Sequence, residues 1–338
     1  MSAGLETADA ARVPDALTLD MVAAAWNRCT GDALRARNVV PIRPKRWWEW
    51  GHHLYVFKIE RNDSSYEKPA VAMLCSSERV AFERRVYEDL LSQTAISRPE
   101  YFGSLPADTP GLAWQFLEFV EYRSFRRADP SHAVAMASWL GSLHAVSREW
   151  ASSAVLPSRG LDFHLSQLAT AKHKLVSARN HGEYLRSAER ERAENIVALL
   201  EDVDRCLLDN GGAVRESPRG FVHADLKSDN IGFVAGREPR LLPYDWEFAG
   251  WGPLAVDVGP TLVHRDVIFP YLRALRAAWP DISASDVEHM GCIGELLRAV
   301  MAIRWLSDGI PLTPADKVLR GIEAQLDIIE PRREELSW

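Results

Sequence analysis

Two short apolar segments that end in acidic residues constrain this chain more than any other feature. The segment FVHADLKSDNIGF (221–233) places His223, Asp225 and Asn230 in the spacing H-x-D-x-x-x-x-N, and Asp245 follows twenty residues after Asp225. Apolar runs on both sides predict short buried strands joined by a hairpin through 235–237. Such strands hold a small polar loop rigidly, as a metal site requires.

The residue types and their spacing favour phosphoryl transfer. That reaction needs a carboxylate to orient or deprotonate an attacking hydroxyl, and Asp225 suits this role. It also needs oxygen ligands for Mg²⁺ on the nucleotide phosphates, and Asn230 and Asp245 suit that role. A single Asp or Asn in a loop is usually a turn former. The prediction therefore depends on the combination and not on any one residue.

The strings H-A-D-L-K-S-D-N and D-W-E-x-A-G-x-G-P-x-x-x-D resemble the aminoglycoside phosphotransferase and choline kinase group of the protein-kinase-like fold. The resemblance implies that Asp225 is the catalytic base and that Asn230 and Asp245 are Mg²⁺ ligands. It also implies that Asp257 is a buried acid bracing the catalytic loop, and that ATP is the phosphate donor.

A second HRD string, His264-Arg265-Asp266, has the look of a catalytic loop. Seven residues beyond its His stands Tyr271, which is not a metal ligand. We therefore interpret this string as a decoy.

The resemblance also implies a bilobal α+β fold. We expect a small antiparallel-sheet lobe that binds the nucleotide over residues 1–121, including an N-terminal helix from about Thr18 to Cys29. A larger, mainly helical lobe over 122–338 is expected to carry catalysis and substrate binding. In the small lobe, strands are predicted within 52–61, 69–74 and 111–122, with a helix at 77–91 before the last strand. Helices are predicted over 132–145, along the apolar stripe from 193 to 207, and over 286–306.

The small lobe departs from the kinase pattern at its lysine. Kinases carry a Lys on the third strand that pairs with a Glu on the following helix. Glu83 fits that Glu by the resemblance, but Leu74 stands where V-A-I-K would place the Lys. Lys58 on the neighbouring strand is the candidate replacement, and a surface Lys is the alternative.

The family resemblance also implies where the adenine ring binds, and we assign the residues there by their position in the chain. Adenine is expected to meet backbone groups of Glu118, Phe119 and Val120, with ATP preferred to GTP by family habit. No G-x-G-x-x-G loop precedes the strands, and Gly51 is the glycine in RPKRWWEWGHH (43–53). Basic residues in that segment could add positive charge near the phosphates.

Lys227 stands two residues after Asp225, as in protein Ser/Thr kinases. A Lys there can neutralise charge on the transferred phosphoryl group.

Three functions stay open: a kinase of a small-molecule hydroxyl (an aminoglycoside, amino alcohol or other natural product), a kinase of Ser or Thr in a peptide that activates the hydroxyl for dehydration, and a pseudokinase that binds nucleotide or a partner.

Net charge and hydropathy limit which classes of binding partner and which compartment we expect. The formal net charge of −7 argues against nucleic acid, which usually needs a basic surface. It could attract a cationic substrate or serve solubility alone. No stretch has the length needed to span a bilayer, so the cytoplasm is the expected compartment, and the sequence does not indicate an oligomeric state.

Overall fold

The protein is described from a computed structural model that covers residues 18–31, 39–42, 55–59, 69–120, 124–152, 156–180, 185–236, 239–261, 265–311 and 313–338. The chain divides into two compact units, Met1–Tyr122 and Arg123–Trp338.

An antiparallel sheet forms the frame of the N-terminal unit. Its strands follow the spatial order β1-β2-β3-β5-β4, and each neighbouring pair is antiparallel. The strands are β1 (Val39–Ile42), β2 (Tyr55–Ile59), β3 (Ala70–Ser76), β4 (Tyr101–Pro106) and β5 (Leu112–Glu118). The sequence did not predict β1 or β4. Strand β1 is short, and β4 is interrupted because Gly103 has φ 130° and lies beside a register shift.

Helix α1 (Leu19–Thr30) covers one face of this sheet. Thr18 caps it, because its hydroxyl accepts from the Met21 N–H at 3.3 Å, and Gly31 ends it in the left-handed conformation. Trp26 packs into the same core cluster as Leu74 and Phe116. The sequence-based prediction of this helix is confirmed.

Helix α2 (Ser77–Arg85) lies on the opposite face. Val80 forms a separate buried cluster with Cys75 of β3 and Ala113 of β5. The backbone continues as a π-helical turn over Val86–Leu90 and a 3₁₀ turn to Gln93. The predicted single helix over 77–91 is thus three helical segments of different pitch.

The C-terminal unit is mainly helical. Its helices are α3 (Pro130–Ser147), α4 (Leu161–Asn180), α5 (Ser187–Asp209), α6 (Gly211–Glu216), α7 (Ala255–Thr261), α8 (Arg265–Leu275), α9 (Ala284–Asp308) and α10 (Ala315–Leu336). Helices α7 and α9 meet through Gly259 and Gly294, and a Cβ on either glycine would overlap backbone of the other helix. This close approach matters for the site, because α7 carries Asp257 and α9 carries Arg298.

Two small antiparallel pairs lie among these helices. Strand β6 (Arg219–Val222) pairs with β9 (Gly250–Pro253), and β7 (Ile231–Val234) pairs with β8 (Arg240–Pro243). The predicted strands on both sides of the acidic residues are therefore present. The hairpin turn falls partly outside the described residues, at 237–238.

The predicted bilobal α+β class is confirmed by the small antiparallel sheet of one unit and the helical body of the other. Within the described ranges, no helix combines the length and apolar character needed to cross a bilayer.

Candidate active site

Hydrogen bonds to Asp257 fix the backbone of the loop that follows β6. Ala224 has φ 62°, a conformation that costs a residue with a Cβ about 1–2 kcal/mol. The Asp257 carboxylate accepts from the N–H groups of His223 at 2.7 Å and Ala224 at 2.8 Å. Two charge-assisted hydrogen bonds in a buried setting are enough to offset that strain. The contact has the geometry of the brace that the family resemblance implies.

Asp257 is fully buried and is itself surrounded by polar groups. His144 of α3 places Nε2 3.5 Å from the Asp257 carboxylate, and the Tyr271 hydroxyl lies 2.9 Å from His144 Nδ1. Burial and the nearby Asp257 charge raise the pKa of Tyr271 well above its usual value, so the phenol stays protonated. The loop thus rests on a buried chain of three side chains from three helices.

Asp225 presents two oxygens with different surroundings. Its side chain is 3% exposed, and Oδ2 accepts from Lys227 Nζ at 2.7 Å and from Asn230 Nδ2 at 2.9 Å. Oδ1 is buried and makes no hydrogen bond within the described residues, while Arg298 Nη1 lies 3.4 Å away. The carboxylate is therefore fixed through one oxygen, and the other keeps its acceptor capacity.

Asn230 and Asp245 lie at the start of β7 and just past the end of β8. The Asn230 carbonyl accepts from the Tyr244 N–H at 3.0 Å, which fixes the two chain segments side by side next to Asp245. Asp245 is 5% exposed and has φ 69°, a conformation that Asp tolerates better than most residues. His223 Nε2 donates to the Tyr244 carbonyl at 3.0 Å, which ties the same segment to the loop of Asp225.

The donor set suits a hard cation. The Asn230 side chain donates its amide to Asp225, so its carbonyl oxygen Oδ1 points elsewhere; it is buried and has no hydrogen-bond partner among the described residues. A buried acceptor without a donor is costly unless a ligand satisfies it. The described part of the chain has no cluster of three or more His, Cys, Asp or Glu placed to hold a metal. An ion here would need further oxygens from a nucleotide, as Mg²⁺ in phosphoryl transfer has.

Aromatic packing anchors the segment that follows Asp245. Trp246 is fully buried, stacks on Phe221 of β6 at 5.6 Å between ring centroids, and lies 4.5 Å from the His223 ring. A large apolar side chain directly after the acid thus limits the movement of Asp245.

In the N-terminal unit, Lys58 and Glu83 lie toward the same face of the sheet. Lys58 pairs in register with Val71, whereas Leu74 packs in the core on the α1 face. Glu83 is fully buried on the α2 face and accepts from Arg79 Nε at 2.9 Å and Gln115 Nε2 at 3.1 Å. Because strand side chains alternate, Met73 and not Leu74 shares the face of Glu83.

Lys58 is half-buried, and its ammonium lies 5.3 Å from the centre of the Phe119 ring. It therefore contacts a residue of the stretch that was expected to bind adenine. Its predicted role with the phosphates stays a prediction.

The backbone of that stretch is partly used by the sheet. The Glu118 N–H donates to the Glu100 carbonyl and the Phe119 N–H donates to the Pro69 carbonyl, each at 2.8 Å. The Glu118 carboxylate also accepts from the Glu100 N–H at 3.1 Å. Of the three residues, Val120 is the one whose N–H makes no backbone hydrogen bond to another described residue.

The decoy string has a different setting from the loop of Asp225. Asp266 lies in the first turn of α8 and is exposed, and Tyr271 is a buried residue of the same helix. His264, the segment 43–53 with Gly51, and the expected lobe junction near Glu121 lie outside the described residues.

Sequence reasoning missed Arg298 and Trp305, both on α9. The Arg298 guanidinium lies over the Trp305 ring at 4.6 Å, and Lys227 Nζ lies 5.8 Å from the same ring. The periodicity of α9 marks its inward apolar positions, such as Leu297, but gives no signal for a polar neighbour. The contact with Asp225 spans 73 positions and could not be found without the fold.

The model of the phosphotransferase enzyme family matches residues 51–286. No protein with a curated description matches the sequence significantly. Among solved structures, the chain is similar in fold to choline kinase from Cryptosporidium parvum Iowa II, with 12% identity, a TM-score of 0.63, and 94% of this chain and 95% of that chain covered.

Two antibiotic kinases share the fold. One is spectinomycin phosphotransferase in complex with ADP and spectinomycin, with 10% identity, a TM-score of 0.57 and coverage of 92% and 97%. The other is the GDP complex of aminoglycoside 2′-phosphotransferase-IIIa, with 13% identity, a TM-score of 0.57 and the same coverage. Because the family model spans more than half of the sequence, the chain belongs to the phosphotransferase enzyme family.

Proposed function

We propose that this protein is an ATP- and Mg²⁺-dependent kinase that transfers the γ-phosphate to a hydroxyl group of a small molecule. Membership of the phosphotransferase family supports the reaction class. The observation that carries the proposal is the asymmetry of Asp225, whose Oδ2 is held by Lys227 and Asn230 while Oδ1 keeps a lone pair for a hydroxyl.

The proposed step is a direct displacement. The acceptor O–H donates to Asp225 Oδ1, the acceptor oxygen forms a bond to the γ-phosphorus, and the bond from that phosphorus to the bridging oxygen of ADP breaks. The hydroxyl proton passes to Asp225 and then to solvent. Fixed orientation of the hydroxyl is the main contribution of the carboxylate, because phosphoryl transfer depends mostly on positioning and charge stabilisation.

Lys227 and a bound Mg²⁺ ion would supply the positive charge that the transfer needs. The Lys227 ammonium, already at 2.7 Å from Asp225, is placed to neutralise the transferred phosphoryl group as its charge shifts. Asn230 Oδ1 and the Asp245 carboxylate would hold Mg²⁺, and the ion when bound neutralises the phosphates of the nucleotide. The unsatisfied Asn230 oxygen supports this assignment.

Nucleotide binding is assigned to residues 1–121 and catalysis with acceptor binding to 122–338. Lys58 is proposed as the cation that replaces the third-strand lysine, with Glu83 on the same face of the sheet. Glu118, Phe119 and Val120 are proposed to border the adenine ring, with the Val120 N–H as the donor. Known complexes of the fold with ADP and with GDP make the choice of nucleotide a matter for direct measurement.

The test combines two measurements, thermal shift and phosphate transfer, on the wild type and two variants. Mg²⁺·ATP should raise the melting temperature of the wild type, and Asp245→Ala should abolish the rise. Asp225→Asn should keep the rise but lose about 10²–10⁴-fold in transfer, the usual contribution of a general base. A wild type without a thermal shift would refute the nucleotide assignment, and full activity of Asp225→Asn would refute the role of Asp225. GTP in place of ATP gives the comparison for nucleotide choice.

A further inference from the structure

Arg298 lies against the Asp225 oxygen that the reaction needs. Its Nη1 is 3.4 Å from Asp225 Oδ1, and both atoms are buried and make no hydrogen bond within the described residues. Lys227 and Asn230 already occupy Oδ2. A hydroxyl that reaches Asp225 must therefore take a place beside the Arg298 guanidinium.

Trp305 fixes the position of that guanidinium. The Arg298 guanidinium lies over the Trp305 ring at 4.6 Å, and the ring in turn packs edge-to-face on Phe248 at 5.3 Å. A guanidinium stacks well on an aromatic face and keeps its in-plane N–H donors for an anion. Arg298 is thus held as a planar fork near Asp225, and 26% of its side chain is exposed.

Among the described residues, Lys227 and Arg298 both lie within ion-pair distance of the same carboxylate, and a third cation, Arg127, lies near Arg298. Asp225 is the one carboxylate within ion-pair distance of Lys227 or Arg298 in the ranges that the structure covers. Arg127 is close enough to Arg298 for the like charge to add to burial in lowering the pKa of Arg127. Burial likewise lowers the pKa of Arg298, opposed by Asp225. With Lys227 assigned to the transferred phosphoryl group and Asp245 to Mg²⁺, Asp225 is the carboxylate that pairs with Arg298, and Arg127 adds a second positive charge near that arginine.

We propose that Arg298 selects the acceptor by its charge, so that the acceptor carries a carboxylate or phosphate group that pairs with Arg298 while its hydroxyl bonds Asp225 Oδ1. The inference rests on the proposed kinase function and names the acceptor class. An anionic group competes with Asp225 for the guanidinium and thereby uncovers Oδ1. A cationic acceptor gains no such exchange and is repelled by the arginines. The local charge is thus opposite in sign to the net charge of −7 of the whole chain.

Two matched sets of hydroxyl compounds test this proposal. The first is D-gluconate, D-glucose and D-glucosamine, and the second is D-glycerate, glycerol and serinol; each set keeps the carbon chain length and changes the charge. ADP release is measured with Mg²⁺·ATP. The anionic member of a set should exceed the cationic member in kcat/KM by about tenfold or more, the factor expected from one charge-assisted hydrogen bond.

Variants of Arg298 separate a selecting residue from a structural one. Arg298→Gln should remove the preference for the anion, mainly through KM, and Arg298→Lys should restore part of it. Arg320→Gln is the matched control, because it removes one positive charge from α10, where Arg320 is largely exposed and pairs with Asp316. That control should keep the preference of the wild type.

The source of the anion is a separate arm of the same assay. A short Ser peptide flanked by glutamates is compared with one flanked by lysines, and better use of the acidic peptide than of any small acid would assign the anionic group to a peptide. Equal use of anion and cation, no use of any compound, or an unchanged preference in Arg298→Gln overturns the inference. The thermal shift with Mg²⁺·ATP is read on the same samples; if it persists, the kinase function stands without the inference, and if it is absent, the proposed function itself fails.

Discussion

The loop of Asp225 and the β2–β3–α2 region of the N-terminal unit differ in how far the structure limits which residue type can stand at a given position. In the loop, the roles depend on backbone conformation: Asp257 holds two consecutive N–H groups, and the chain beside Asn230 is fixed by the Tyr244 N–H. In the sheet, any position whose side chain projects toward α2 could carry the cation, and Lys58 on β2 is the residue proposed for that role. Residue identity is therefore constrained where backbone geometry is, and is freer where only a charge is required.

The largest effect should come from breaking the brace of the loop. Asp257→Ala leaves the buried N–H groups of His223 and Ala224 without an acceptor, at about 1–3 kcal/mol each, so the free energy of unfolding should fall by roughly 2–6 kcal/mol. Urea denaturation measures it. Asp266→Ala changes an exposed residue of the decoy string, so it should alter stability by less than about 0.5 kcal/mol and leave transfer intact. An equal loss in both variants would contradict the distinction.

Moving the cation between strands tests the other region. Lys58→Met should lower kcat/KM for ATP by about 10–10²-fold if the ammonium meets a phosphate. Adding Met73→Lys should restore part of this, because Met73 projects toward α2 and Glu83. Leu74→Lys should not restore activity and should lower stability, since Leu74 is 2% exposed in the opposite core. An unaffected rate in Lys58→Met would show that Lys58 is a surface lysine with no role in binding the phosphates.

A buried histidine of α4 should make the C-terminal unit sensitive to acid. Burial, aided by the positive charge of Arg159, lowers the pKa of His164 to about 3 from its ordinary 6.5. The unfolded chain therefore binds the proton first, so the stability is complete above pH 6.5 and falls as the pH drops toward 3, by about 2 kcal/mol at pH 5. His164→Leu should flatten this slope in urea titrations at several pH values, whereas the exposed His289→Asn should not. A slope unchanged by His164→Leu would assign the acid sensitivity to other groups.

The smallest effect concerns the helices that carry Asp257 and Arg298. Gly294→Ala places a methyl group against the backbone of α7, at a cost of about 1–3 kcal/mol. Gly291→Ala, one turn earlier in α9, meets nothing within 4 Å and should be neutral or stabilising by up to about 1 kcal/mol. Thermal unfolding of both variants measures the contrast, and equal melting temperatures would show that the helices can separate freely.

Much of this arrangement could be predicted from sequence because local signals define it. Thr18 and Gly31 mark α1 through cap chemistry, and the apolar runs around Asp225 and Asp245 mark β6 to β8. Strand β4 gave no such signal, because it is only half-buried and interrupted at Gly103. The face of each β3 residue also depended on register, which the sequence alone left open.

The contacts that could not be predicted are those between distant segments. Arg298 meets Asp225 only through the packing of α9 on the rest of the unit, and Arg127 comes near it from a distant segment of the chain. Periodicity identifies the side of a helix that packs inward, yet it does not say which polar residue at the edge of that side touches a catalytic group. The net charge of −7 therefore left a cationic substrate and solubility alone as alternatives, because it does not say which charges lie near Asp225.

The unsatisfied oxygen of Asn230 limits how far the thermal stability of this protein can be raised at that position without loss of activity. The unpaired oxygen costs stability in the absence of a ligand, and a leucine at that position would remove it while filling a similar volume. The same change would delete the proposed metal ligand and the two hydrogen bonds that the Asn230 amide donates to the Asp225 carbonyl and to Asp225 Oδ2, which lowers stability again. Stability and catalysis therefore compete at this single side chain, and an engineered variant that melts higher through position 230 should be inactive.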